Sequence, residues 1–165
     1  AEVTLVSGPT ALTAPLGVRL LPVQSASEMY QAVLSEVGRS QVFISVAAVA
    51  DYRVKNRSEH KIKKGDALPV IELEENPDIL ATVASLPAAP FCVGFAAESQ
   101  NLLQFADSKR RKKKVPLLVA NLAQQAMGSD DNEVTLLDDA GQHPLPAMAK
   151  AEVARAIVAH LARLL

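Results

Sequence analysis

The run Val42-Phe43-Ile44-Ser45-Val46 shows no regular alternation of apolar and polar positions. A short apolar run of this kind fits a strand covered on both faces, the environment of a parallel sheet. It commits the chain to an α/β arrangement. The run passes into Ala47-Ala48-Val49-Ala50 and then, abruptly, the carboxylate of Asp51, followed by Tyr52-Arg53. Ligands of open parallel sheets bind beyond the carboxyl ends of the strands. Small side chains there let a ligand approach the backbone, and a carboxylate can accept hydrogen bonds from ribose hydroxyls or help hold a metal. Lys61-Ile62-Lys63-Lys64 starts ten residues after Asp51 and can bring ammonium groups to a phosphate chain. The pattern outlines a nucleotide site, although a tight strand-to-loop junction followed by a solvated basic loop would read the same.

The rest of the chain alternates strands and helices. Val3 to Val6 and Val18 to Val23 read as strands, the first ending at a Ser7-Gly8-Pro9-Thr10 turn. Ser25 and Glu28 form a capping box ahead of a helical stripe, Met29, Val33 and Val37, that Gly38 ends. Val70 to Leu73 is extended. Asn76-Pro77-Asp78 reads as a helix start with asparagine as N-cap, and that helix runs to about Leu86. Phe91 to Phe95 is a second buried strand, residues 99 to 113 a helix, and Leu117 to Ala120 a strand. Val134 to Leu137, with the Asp138-Asp139-Ala140-Gly141 turn, predicts a hairpin at the sheet edge, and Met148 to Leu165 a closing helix. This order predicts a mostly parallel sheet with helices on both faces.

The 165 residues suit one domain, and 49% hydrophobic content supplies a sizeable core. No apolar run approaches the roughly 20 residues that cross a bilayer, and no leader is recognisable, so a cytoplasmic protein without membrane contact is expected. The single cysteine, Cys92, reads as a small buried hydrophobe. A net charge of -1 and 4% aromatics argue against a nucleic-acid partner. Lys109 to Lys114 is unbroken basic sequence; Lys109 and Lys113 share a helix face, where like charges oppose each other unless an anion lies between them. A solvated helix end is the plainer reading. No glycine-rich phosphate loop occurs. His60, His143 and His160 have no ligand-like spacing, so no metal site is expected.

Six segments occur in one order: residues 47–53, 61–64, Asn76-Pro77-Asp78-Ile79-Leu80, Val93-Gly94-Phe95-Ala96-Ala97-Glu98, Lys109 to Lys113, and Ala120-Asn121 with Gly128-Ser129-Asp130-Asp131-Asn132. In this the chain resembles the bacterial phosphopantothenoylcysteine synthetase family, the second half of the bifunctional coenzyme A biosynthesis flavoprotein. The resemblance implies a three-layer, Rossmann-like fold with an extended dimerisation arm at about residues 52–73. It implies CTP-dependent activation of 4′-phosphopantothenate to an acyl-cytidylate, then amide formation with cysteine, with Mg²⁺ or Mn²⁺. It also implies a homodimer and, in the full-length protein, an attached flavin-dependent decarboxylase domain, with no flavin site in this chain.

Carried over residue by residue, Ser45, Val46 and Ala47 line the cytidine site through backbone groups and Asp51 binds the nucleotide. Lys61 is the mobile catalytic lysine. Pro77, Asp78, Ile79 and Leu80 form a wall of the nucleotide pocket, Phe95 packs nearby, and Lys109 and Lys113 grip phosphates. Members of the family begin with a strand and an Asn-x-Ser-Ser-Gly-Lys-like phosphate loop that has no counterpart here. The expectation is therefore a CTP-binding synthetase domain, residues 1–165, without its front segment. A nicotinamide- or flavin-binding oxidoreductase is the rival enzyme class, and a non-catalytic dimerisation or nucleic-acid module the rival binding class.

Overall fold

The computed structural model describes residues 1–58, 60–63, 70–98, 102–122 and 128–165. Its strands are β1 (Val3–Ser7), β2 (Val18–Pro22), β3 (Val42–Ser45), β4 (Tyr52–Val54), β5 (Leu73–Glu75), β6 (Phe91–Glu98), β7 (Leu117–Leu122), β8 (Asp131–Leu137) and β9 (Gln142–Ala149). The helices are α1 (Ala26–Val37), α2 (Ile79–Ala84), α3 (Leu102–Lys113) and α4 (Lys150–Leu164). Contacts gather these elements into two compact units, residues 1–35 with 47–79, and residues 36–46 with 80–165.

The second unit is built on a five-stranded sheet of order β3-β6-β7-β8-β9. The first three strands are parallel, with Val42 opposite Phe91 and Val93 opposite Leu117; β8 and β9 return antiparallel. The sheet is thus mixed, with the expected hairpin at its edge. Pro144 and Pro146 are tolerated in β9 because an edge strand needs hydrogen bonds on one side only. On one face Val93, Leu117, Val119, Val134 and Leu136 pack against Val153, Ile157 and Leu161 of α4. Strand alternation turns Leu118 and Leu137 to the other face, where Leu80 and Arg110 supply a second layer of helices. A Cβ on Gly94 would lie 2.7 Å from Leu80 and 2.8 Å from Leu118, so that layer closes only over a glycine. Cys92 is buried on β6, and burial pushes its thiol pKa up, as suits a small hydrophobe.

The Val42 run is not covered on both faces. β3 ends at Ser45 and lies at an edge of its sheet, leaving Ile44 40% and Val46 61% exposed among the described residues. Apolar character records which residues are present, whereas burial also requires neighbouring elements, and among the described residues β3 pairs with β6 alone.

In the first unit β1 and β2 pair in parallel, Val3 opposite Val18. The capping interaction on α1 forms with one change: the Glu28 N–H donates to Ser25 Oγ at 3.2 Å, but Glu28 Oε2 accepts at 2.9 Å from the N–H of Gln24, one residue before the cap. The extended residues near Val70 become strand only from Leu73 to Glu75. That strand pairs antiparallel with Tyr52–Val54 of the same chain, so its partner edge is internal. α2 starts at Ile79, later than expected. Asn76 does not cap it, because its side-chain amide is engaged by Ala50 and Arg53.

Candidate nucleotide site

In the first unit Ala47, Ala48 and Val49 line a cleft of about 210 Å³ with Gly8, Val23, Ser25 and Met29. The small residues that follow β3 therefore do leave space beside the backbone. Asp51 is exposed, and its carbonyl oxygen accepts the Asn76 N–H at 2.8 Å. Asn76 Nδ2 donates to the Ala50 carbonyl at 2.9 Å, and Arg53 donates from Nη1 to Asn76 Oδ1 at 3.2 Å and from Nε to Glu74 Oε1 at 2.7 Å. These bonds bring the 50–51 segment and the Pro77-Asp78-Ile79 segment together at the root of the β4–β5 hairpin. Pro77 and Asp78 are exposed and Ile79 is buried. Lys61 and Lys63 are exposed; Lys64 lies outside the described residues.

In the second unit Ser45 stands opposite Gly94 in the β3–β6 register. The carboxyl end of β3 therefore adjoins the Gly94-Phe95-Ala96-Ala97 stretch, joining two of the segments singled out in the sequence. Phe95 is half-buried against the core, and the buried Leu80 packs near Gly94. On α3 the basic run divides. Lys109 is exposed and Lys113 half-buried, but the Arg110 side chain is buried, with Nη1 2.8 Å from Asp139 and Nε 3.3 Å from Asp107. Burial works against its charge, yet hydrogen bonds to both carboxylates and their attraction hold its pKa above the ordinary value. Arg111 pairs with Asp107 at 2.8 Å. Two members of the run are thus tied to acidic partners.

The histidines require a correction. His143 and His160 are brought together by the hairpin and α4, with ring centroids 4.7 Å apart. Asp138 receives them both: Oδ1 lies 3.0 Å from His143 Nε2, and Oδ2 2.8 Å from His160 Nε2. The backbone N–H groups of Ala140 and Gly141 also donate to Oδ1, at 2.8 and 3.1 Å. Burial alone would raise the Asp138 pKa, but the hydrogen bonds from His143, His160 and Ala140, with the attraction of His143, bring it down to about 2. Two imidazoles and a carboxylate are a donor set that suits a transition metal. Arg163 Nη2 lies 3.2 Å from His160 Nδ1 and can only donate, so the ring's hydrogen sits on Nε2 and points at Asp138. A metal-bound Nε2 would require the opposite tautomer. The cluster is a buried hydrogen-bond network. One signal for it was legible: His160 falls on the same buried helical stripe as Val153, Ile157 and Leu161.

The family model described as DNA/pantothenate metabolism flavoprotein C-terminal domain matches residues 1–165. The chain belongs to this family. It is 47% identical over 165 residues to the coenzyme A biosynthesis bifunctional protein CoaBC of Vibrio cholerae, a match covering 96% of this chain and 41% of the relative. The chain thus spans about two fifths of that relative's length. A crystal structure of the C-terminal domain of CoaBC is similar with a TM-score of 0.81 at 38% identity, over 99% of this chain and 74% of the other. A Cab2 mutant in complex with phosphopantothenate-cysteine shares the fold at a TM-score of 0.68 and 18% identity, over 87% of this chain and 53% of that one. Family membership bears out the resemblance read from the ordered motifs. The α/β fold with a mixed sheet agrees with the CoaBC domain, and no helix among the described residues is long and apolar enough to cross a membrane.

Proposed function

We propose that this chain is the nucleotide-binding part of a phosphopantothenate–cysteine ligase that uses CTP. The observation that carries the reading is the register of Ser45 with Gly94, which sets two motifs of the family side by side at the carboxyl edge of parallel strands. A free carboxylate is a poor acyl donor. Attack of the 4′-phosphopantothenate carboxylate on the α-phosphorus of CTP would release pyrophosphate and leave an acyl-cytidylate. The cysteine amine would then attack the acyl carbon, form the amide and release CMP. The first step gathers polyanions, so cations must offset their repulsion. In this reading Lys61 closes over the phosphates, Lys109 and Lys113 hold them from α3, and Asp51 orients the nucleotide. Backbone groups of Ser45, Val46 and Ala47 read the base beside Phe95. Mg²⁺ would travel with the triphosphate, since magnesium sites commonly join one or two carboxylates to substrate phosphates. The Asp138 network is the wrong donor set for it.

Calorimetric titration of the full-length protein with CTP and with ATP, each with Mg²⁺, tests the nucleotide. CTP is expected to bind at least about tenfold more tightly, a difference of roughly 1.4 kcal/mol. Equal affinities would refute the assignment.

The same reading includes a homodimer formed through the arm and a flavin-dependent decarboxylase domain on the same polypeptide. Val70 and Ile71 are 89% and 67% exposed, which supports a covering partner at this end of the arm. Sedimentation is expected to find a dimer that becomes monomeric when both are changed to Asp. A monomeric wild type, or a dimer indifferent to the changes, would rule this contact out.

A further inference from the structure

We propose that Asn76, held by Arg53, is a positioning residue for the nucleotide loop; this rests on Asp51 being the nucleotide-binding carboxylate. The β4–β5 ladder runs from Val54 opposite Leu73 to Tyr52 opposite Glu75. The Asn76 N–H donating to the Asp51 carbonyl at 2.8 Å adds one backbone hydrogen bond beyond it. The Ala50 carbonyl falls at a non-hydrogen-bonded position of this ladder, opposite Pro77, where the facing backbone offers it no donor. The Asn76 side chain takes over, with Nδ2 donating to the Ala50 carbonyl at 2.9 Å. Arg53 settles which way the amide faces. Its Nη1 donates to Asn76 Oδ1 at 3.2 Å while its Nε holds Glu74 at 2.7 Å, leaving Nδ2 for Ala50. The carbonyls on both sides of the Asp51 Cα are therefore fixed to one residue. Asp51 itself is exposed, so its position depends on the backbone beneath it. Clamping the backbone beneath an exposed carboxylate organises it before the ligand arrives and reduces the ordering cost of binding.

The test uses the full-length protein, with calorimetry for CTP and steady-state kinetics for cysteine. Asn76→Ala is expected to raise the CTP Kd about five- to tenfold, the loss of a hydrogen bond and of the order it imposes. Tm should stay within about 2 °C, because the half-buried Asn76 side chain bonds its own hairpin and is not among the buried core residues. The KM for cysteine should be unchanged. Asn76→Asp keeps the acceptor for Arg53 and loses the donor to Ala50, so it should lose affinity as Asn76→Ala does. Wild-type affinity in Asn76→Asp would overturn the inference. So would a fall in Tm accompanied by equal losses toward CTP and cysteine, which marks a purely structural role. Asp51→Asn separates the two levels. If it binds CTP normally, the reading of the site fails; if it loses CTP while Asn76→Ala does not, the positioning role alone fails.

Discussion

Changing Lys61 to glutamine in the full-length protein is expected to lower amide formation about 10²- to 10³-fold, the usual effect of removing one donor that stabilises developing charge. The side chain is exposed. Its loss should leave stability within about 0.5 kcal/mol, so the effect cannot be attributed to unfolding. Glutamine keeps much of the length and a hydrogen-bond donor but removes the charge. If the ammonium meets phosphate during activation, single-turnover formation of the acyl-cytidylate falls by the full factor, and CTP affinity falls much less. Lys109→Gln is the internal control. A Lys61→Gln protein that turned over normally beside a crippled Lys109→Gln protein would move the essential cation from the arm to α3.

The order of elements was legible because each carries a local signal. The capping box at Ser25 and Glu28, the turn at Asp138 to Gly141 and the apolar stripe of α4 all depend on neighbours within one or two turns of chain. Errors arose where a distant partner decides the outcome. Val42 to Val46 is apolar but for Ser45, yet among the described residues β3 pairs with one strand, and Ile44 and Val46 stay exposed. Asn76 has the composition of a helix cap, but its Oδ1, the atom a cap would use, accepts instead from Arg53, 23 positions earlier. The same limit hid the buried Arg110, whose carboxylate partner Asp139 is 29 positions away. For the site, small residues and a carboxylate after a strand could be read directly. How Asp51 is held could not, since Arg53 and Glu74 meet only through strand pairing.

Replacing Asp138 by alanine is expected to cost about 3 kcal/mol of stability, the range for breaking a buried charged network while leaving its donors unpaired. Four donors lose their acceptor together: the N–H groups of Ala140 and Gly141, His143 Nε2 and the buried His160 Nε2. For a chain of this size the Tm should fall by about 6–12 °C. The pH dependence carries its own signature. The carboxyl is brought from 3.8 to about 2 in the folded state, so folding favours the ionised form. Stability from this group is present above about pH 4 and disappears as the pH falls towards 2, a change of roughly 2 kcal/mol by linkage. The difference between wild type and Asp138→Ala, followed by urea unfolding, should therefore shrink as the pH falls across that interval. Asp138→Asn is expected to lie between them: its amide oxygen can still accept from the turn, while its NH₂ would meet the donor on His160. Parallel pH profiles for wild type and Asp138→Ala would show that the turn is set by backbone geometry alone. The two histidines would then be lodged beside a carboxylate that does not hold them.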